Sequence, residues 1–225
     1  MDSVQDEKEH QDSGTVGVYL TVPNGDGWIH KHTHFAVCKI LSDRRYMVRH
    51  DCPTNRPYVD NLHACMNDFL DHEEDFWLSF DTDNPPTKNP LDLVSEDLDV
   101  VGFPTPVWHS EVKGNRPYYY NAMRESNGGY APHEDPTEGL QEVDAIGSGC
   151  FMVARRVMLK LRDSMPFMRQ WNRNGRVDVG CDFSFCRKAK EAGFRIWADF
   201  SRPCEHFNEL PLLEVIRSFG EMERG

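Results

Sequence analysis

Asp75-Phe-Trp-Leu-Ser-Phe80-Asp81-Thr82-Asp83-Asn84-Pro85-Pro86 is the stretch on which the fold turns. From Phe76 to Phe80 it is apolar but for Ser79 and carries three aromatic rings, the pattern of a strand buried on both faces. Two carboxylates follow at once, and Pro85-Pro86 stops the strand there. Upstream, the pattern alternates. Residues 15–21 form a short β-rich run, ended by the loop Pro23-Asn-Gly-Asp-Gly27. Apolar positions 29, 35, 36, 37, 40 and 41 predict a helix over 29–41. Residues 45–49 read as a second strand and 52–57 as a loop. Apolar positions 58, 59, 62, 65, 66, 69 and 70 predict a second helix over 58–70. Strand-helix-strand-helix-strand within the first 80 residues predicts an α/β, Rossmann-like single domain. Its central sheet should be mostly parallel and flanked by helices, with ligands at the carboxyl ends of the strands.

Downstream, 91–95 read as a short helix and 99–103 as a strand. Residues 104–142 are rich in Pro, Gly, Asn and Tyr and read as a long functional loop. Its rings Trp108, Tyr118, Tyr119, Tyr120 and Tyr130 either stack on a sugar or base or fold back onto the body. Strand character returns over 143–154, followed by a short helix at 156–161. A helix over 183–192 ends at Gly193, a strand covers 194–199, and a last helix spans 211–219.

Composition narrows the class. The chain has 225 residues, 39% hydrophobic and 28% charged, which suits a globular body with a sizeable core. No apolar run approaches the roughly 18 residues of a membrane span. The acidic N-terminus does not resemble a signal peptide, so the expected location is cytoplasmic, or the host cytoplasm if the source is viral. Net charge is −12. Residues 1–14, read as a disordered acidic tail, hold five acids against Lys8, which leaves −8 for the body. That charge disfavours a simple nucleic-acid binder. Seven cysteines, an odd number with no C-x-x-C, read as reduced thiols.

The chemistry-bearing residues admit two readings each. Asp81 and Asp83, if extended, point the same way and can share a hard cation; otherwise they belong to a solvated turn. Asp97-Leu98-Asp99 repeats the triplet, but ahead of a strand. Asp182 opens a helix as a general base or merely as a cap. His30, His34 and Cys38 fall at i, i+4 and i+8, on a solvated face or around a soft metal. Arg155-Arg156 and Arg173-Asn-Gly-Arg176 are basic islands that suit a phosphate or no ligand at all.

In element order, residues 15–207 resemble nucleotide-sugar-dependent glycosyltransferases of the GT-A fold, notably compact bacterial and phage members of the large inverting, family 2-like group. Three stretches carry this: Phe76-Trp-Leu-Ser-Phe-Asp-Thr-Asp83, Gly147-Ser-Gly-Cys-Phe-Met-Val-Ala-Arg155, and Asp182 to Asp199 with Cys204-Glu205-His206. The resemblance implies a D-x-D motif in which Asp81, Asp83 and His206 hold Mn²⁺ or Mg²⁺ on the donor diphosphate. It implies Asp182 as the catalytic base, its pKa lowered by the helix N-terminus and further by a nearby metal. Thr21, Pro23 and Asp51 correspond to nucleotide-binding positions. Cys181 stands where the family often has Glu, and Leu62-His63 where an Arg-Asn pair is expected. Residues 15–103 are then the donor-binding half and 104–225 the acceptor-binding and catalytic half. The implied donor is a nucleotide sugar, a UDP-sugar in the first instance. The implied acceptor is a saccharide or a hydroxymethylated DNA base. The missing span or amphipathic basic helix disfavours a lipid acceptor. The rival reading is a non-catalytic nucleotide-sugar or carbohydrate-binding module on the same fold.

Overall fold

The computed structural model describes residues 15–108, 118–127, 129–133 and 137–207. The tail 1–14 and the helix expected over 211–219 lie outside the described residues. The first five elements follow the sequence pattern closely: β1 (Gly17–Thr21), α1 (Lys31–Leu41), β2 (Met47–Asp51), α2 (Tyr58–Asp71) and β3 (Phe76–Phe80). A 3₁₀ helix, Pro90–Glu96, then leads to β4 (Val100–Gly102).

Residues 104–142 depart from the expected loop. They contain β5 (Pro106–Trp108), β6 (Tyr118–Tyr120), β7 (Ala122–Ser126), β8 (Gly129–Pro132) and the start of β9 (Leu140–Val143). β5 pairs with β6, and β7 with β8, both antiparallel. These strands are short and lie among many prolines and glycines, so no period-2 pattern stands out over four or more residues. Tyr119, Tyr120 and Tyr130 fold back onto the body, while Tyr118 is exposed. Tyr130 packs against Phe183 at 5.0 Å, and Tyr120 edge-on to Phe200 at 5.8 Å.

The strand expected over 143–154 is broken into β10 (Ala145–Ile146) and β11 (Cys150–Ala154) by Gly147-Ser148-Gly149. Next come α3 (Arg155–Leu161) and a 3₁₀ turn, Arg162–Ser164. A hairpin of β12 (Gln170–Trp171) and β13 (Val177–Val179) precedes α4 (Cys181–Glu191) and β14 (Ile196–Asp199). After α4 the chain reverses at Gly193, whose φ of +93° is reached without strain by a residue lacking Cβ.

Seven strands form the central sheet in the order β2-β1-β3-β11-β4-β14-β9. β2, β1, β3, β4 and β14 run one way, and β11 and β9 run against them. The sheet is therefore mixed. β4 ends at the carboxyl edge, and among the described residues no crossover helix precedes β11, so the chain re-enters antiparallel. Strand alternation sorts the core into two faces. Tyr19, Trp77, Phe151 and Val153 meet Leu62, Met66 and Phe69 of α2 and Phe185 of α4. Val18, Leu20, Leu78, Phe80 and Met152 meet Val37 and Ile40 of α1 and Leu91 of the 3₁₀ helix. β3 is buried throughout, as its apolar run requires. Gly102 has no room for a side chain: a Cβ there would lie 2.0 Å from Ile146 Cγ1. No described helix is long and apolar enough to cross a membrane. The seven cysteines are free thiols.

Candidate active site

The carboxyl ends of β1, β2 and β3 open on a cleft of about 810 Å³, within the size range of small-molecule sites. Pro23 to Asp26 and Trp28 form one wall, Asn55 to Tyr58 and Asn61 the other, and Asp81 to Asp83 the floor. Arg56 is the one cation among these lining residues. It donates to the Gly25 carbonyl and pairs with Asp26, joining the two walls.

Asp81 to Asp83 leave the strand in a tight turn, closed by Asn84 N–H donating to Asp81 O at 3.3 Å. The extended geometry that would aim Asp81 and Asp83 the same way is therefore absent. Asp81 accepts from the Tyr58 hydroxyl at 2.7 Å, and the Tyr58 oxygen lies 3.3 Å from Ser148 Oγ. Asp83 turns towards His206, with Oδ2 3.7 Å from Nε2. The segment carrying His206 reaches this point by backbone pairing. Thr87 N–H donates to Pro203 O, Glu205 N–H to Pro85 O, and Phe207 N–H to Asp83 O, at 3.2, 3.0 and 3.0 Å. The second ring nitrogen, Nδ1, sits 2.8 Å from Pro106 O, which fixes the ring plane.

Asp182 is the second residue of α4, in the other half of the chain, and its charge acts on Asp81. Gly180 is the residue that precedes the helix, so Asp182 is not its cap. Its Oδ1 accepts from Phe183 N–H at 2.9 Å, and the Ser148 amide also donates to it. Burial raises its pKa above the ordinary carboxylate range, outweighing these amide donors and the Arg169 charge. The lowering expected from the helix N-terminus is thus reversed by desolvation. Asp81 is raised from 3.8 to about 7, first by burial and then by the charges of Asp83 and Asp182, against the Tyr58 hydrogen bond.

Three carboxylates thus share one field. Their donor set suits a hard or borderline divalent ion, because oxygen from Asp83 and imidazole from His206 already face each other. Among the described residues, however, no three His, Cys, Asp or Glu side chains are grouped closely enough to hold an ion. The three-ligand site of Asp81, Asp83 and His206 is not assembled as such, since Tyr58 engages Asp81.

Asp81 carries a prediction for the metal-free protein. A carboxyl raised in the folded state binds more protons than the unfolded chain between pH 3.8 and about 7. Stability therefore falls as pH rises through that window, by at most about 4 kcal/mol from this group. Asp81→Asn should remove much of that fall. Urea unfolding of both proteins at the two ends of the window measures it, and parallel pH curves would refute the assignment.

The remaining candidates divide. Pro23 lines the cleft. Asp51, at the tip of β2, is exposed, and its Oδ1 accepts from Cys52 N–H at 2.7 Å; it is not among the lining residues. Thr21 is fully buried, and its hydroxyl accepts from the Trp77 indole N–H at 2.8 Å. Thr21→Val should cost about 1–3 kcal/mol by stranding that indole. It should leave ligand affinity at the cleft unchanged, which chemical denaturation and calorimetric titration would check together. Leu62 is buried, and His63 holds Val59 O at 3.0 Å, with its pKa lowered by burial. Asn61 of the same helix faces the cleft instead, its Nδ2 donating to Pro53 O at 2.9 Å.

Two basic or acidic pairs prove structural. Arg155 donates to the carbonyls of Phe69, Leu70 and Glu74 near the end of α2. Arg156 pairs with Asp97 and Asp99, the second acidic triplet. His30 precedes α1, its Nδ1 accepting from His32 N–H at 3.4 Å, so it shares no helix face with His34 and Cys38. Sequence reasoning missed Tyr58, Ser148 and Arg56. Tyr58 counts as an apolar position in a helical pattern, yet a ring with a hydroxyl at the first residue of a helix facing the strand tips was a usable signal.

Comparison with known proteins adds a likeness of fold. No protein-family profile matches the chain, and no curated protein matches it in sequence. Among solved structures, A197 from STIV matches with a TM-score of 0.55 and 16% identity over 86% of each chain. GalNAc-T7, in a structure with UDP, GalNAc and Mn²⁺, gives 0.45 and 11% over 93% of this chain and 48% of that one. A nucleoside-diphosphate-sugar pyrophosphorylase from Vibrio cholerae RC9 gives 0.47 and 9% over 93% of this chain and 100% of that one. The likeness to A197 is one of fold.

Proposed function

We propose that the chain is a nucleotide-sugar-dependent glycosyltransferase of the GT-A type that moves a sugar onto a hydroxyl acceptor. The observation that carries this reading is the cleft at the sheet's carboxyl edge with Asp81 to Asp83 on its floor, where His206 lies 3.7 Å from Asp83 and the charge of Asp182, from the second half of the chain, acts on Asp81. Residues 15–103 supply the cleft for the donor, and 104–225 supply Ser148, Asp182 and His206.

Asp83 and His206 are the residues that would hold a divalent cation, Mn²⁺ or Mg²⁺. Bound there, such an ion offsets the charge gained by a departing nucleoside diphosphate. Tyr58 holds the Asp81 carboxyl by hydrogen bonding and so sets the charge at the floor. Arg56, held by Asp26 and the Gly25 carbonyl, is the cationic lining residue within reach of a donor phosphate in this reading. Asp182 takes the acceptor's hydroxyl proton, and its raised pKa makes it a stronger base at neutral pH than an ordinary carboxylate. With Asp182 as base, the sugar transfers with inversion. The donor is a nucleotide sugar, UDP-linked in the first instance. The acceptor class is a saccharide or a hydroxymethylated DNA base.

A thermal-shift screen of nucleotides and nucleotide sugars with Mn²⁺ tests this. A ligand at 100 times its Kd adds about 2.7 kcal/mol of stability. One nucleoside diphosphate series should raise Tm only when Mn²⁺ is present. Release of nucleoside diphosphate, faster with acceptor than without, separates a transferase from a binding module. No shift with any nucleotide sugar would defeat both.

A further inference from the structure

The hairpin of β12 and β13 stands apart from the rest of the surface. Every residue from Met168 to Asp178 is exposed, while Phe167 and Val179 at its base are buried. The tip therefore projects from the body. Trp171 is 62% exposed and lies directly across from Val177, so the two share one face. Met165 and Met168, at the base, are also exposed, and they are joined by the turn in which Met168 N–H donates to Met165 O at 3.3 Å. Four large apolar side chains thus face solvent on one short stretch, where a soluble surface normally scatters them.

The hairpin is also cationic. Arg173 and Arg176 hold no ion pair among the described residues, whereas Arg45, Arg49, Arg56, Arg156, Arg195 and Arg202 are each paired with a carboxylate. Arg169, at its start, lies near enough to Asp182 for its charge to act there. Arg187 and Lys188 of α4 flank its base: one donates to Gln170 Oε1 at 3.1 Å, the other to Met165 O at 2.9 Å. Asp178 is the one carboxylate on the hairpin. A cationic, apolar tip has been built onto a chain of net charge −12.

We propose that this hairpin docks the protein on a bilayer surface bearing anionic headgroups. Trp and Met side chains suit the boundary between headgroups and acyl chains, and guanidinium groups suit lipid phosphates. The lack of a basic amphipathic helix does not count against this, because the hairpin supplies the same pairing of apolar and cationic side chains. A nucleic acid fits less well. Stacking needs rings, and only Trp171 among the four apolar side chains has one. β13 leads through Gly180 and Cys181 to Asp182, so docking would act on the short segment that carries that residue. This last consequence rests on the transferase reading; the docking itself does not.

Co-sedimentation of the full chain with vesicles tests the proposal. The protein should pellet with phosphatidylcholine vesicles containing phosphatidylglycerol, and much less with phosphatidylcholine alone, with binding weakened by added salt. Trp171→Ser, and separately Arg173→Glu with Arg176→Glu, should each lower partitioning at least tenfold. All these side chains are exposed, so the melting temperature should not move; Val177→Ser gives an independent check on the apolar face. Failure of the wild type to bind anionic vesicles would overturn the proposal. So would binding that survives these substitutions, or a hairpin that binds single-stranded oligonucleotides and no vesicle.

Discussion

Asp182→Asn should lower turnover by roughly 10²–10⁴-fold, the usual contribution of a positioned general base, and leave donor affinity in Mn²⁺ unchanged. Asparagine keeps the side-chain shape and an oxygen able to accept from the Phe183 and Ser148 amides, which hold Asp182 now. It cannot accept a proton. A measured kcat within a few-fold of wild type, with equal donor Kd, would remove Asp182 from the chemistry. The pH profile gives a second reading of the same residue. A base works only when deprotonated, so kcat/KM should rise with pH. Because burial raises this carboxyl, that rise should fall above the ordinary carboxylate range.

Asp83→Ala is expected to separate donor binding from the cation. In the wild type, calorimetric titration should give tighter donor binding with Mn²⁺ than with chelator. In the variant the two titrations should coincide. Outer-shell changes around bound metals cost roughly 10–100-fold, so removal of a direct ligand should cost no less than about 100-fold in Mn²⁺-dependent affinity. Asp83 is partly exposed at a turn, and its loss should leave the fold intact. An unchanged Mn²⁺ dependence would place the ion elsewhere.

Much of this was legible in the order of residues. The buried run at 76–80 and the two helical patterns before it sufficed for residues 15–80, since each element there is long enough for its period to show. The second half resisted for a physical reason. β5 to β10 are two to five residues long, and their burial is set by distant partners rather than by alternation. The D-x-D spacing pointed to a segment that lines the cleft, but with the wrong geometry. The rule for alternate residues holds along an extended chain, and Asp81 to Asp83 turn. His206 was found through resemblance alone, since nothing local distinguishes it from the other nine histidines. The Tyr58–Asp81 contact joins residues 23 positions apart, and periodicity is blind to such a pairing.

The backbone pairing that sets His206 beside Asp83 has a temporal consequence. Asn84 and Glu205, bonded across that seam, are 121 positions apart. On a chain emerging from the ribosome, every residue lining the cleft, up to Asp83, is made long before residue 206. On the transferase reading proposed above, a growing polypeptide lacks the imidazole until then and should be unable to consume donor before its synthesis has passed this histidine.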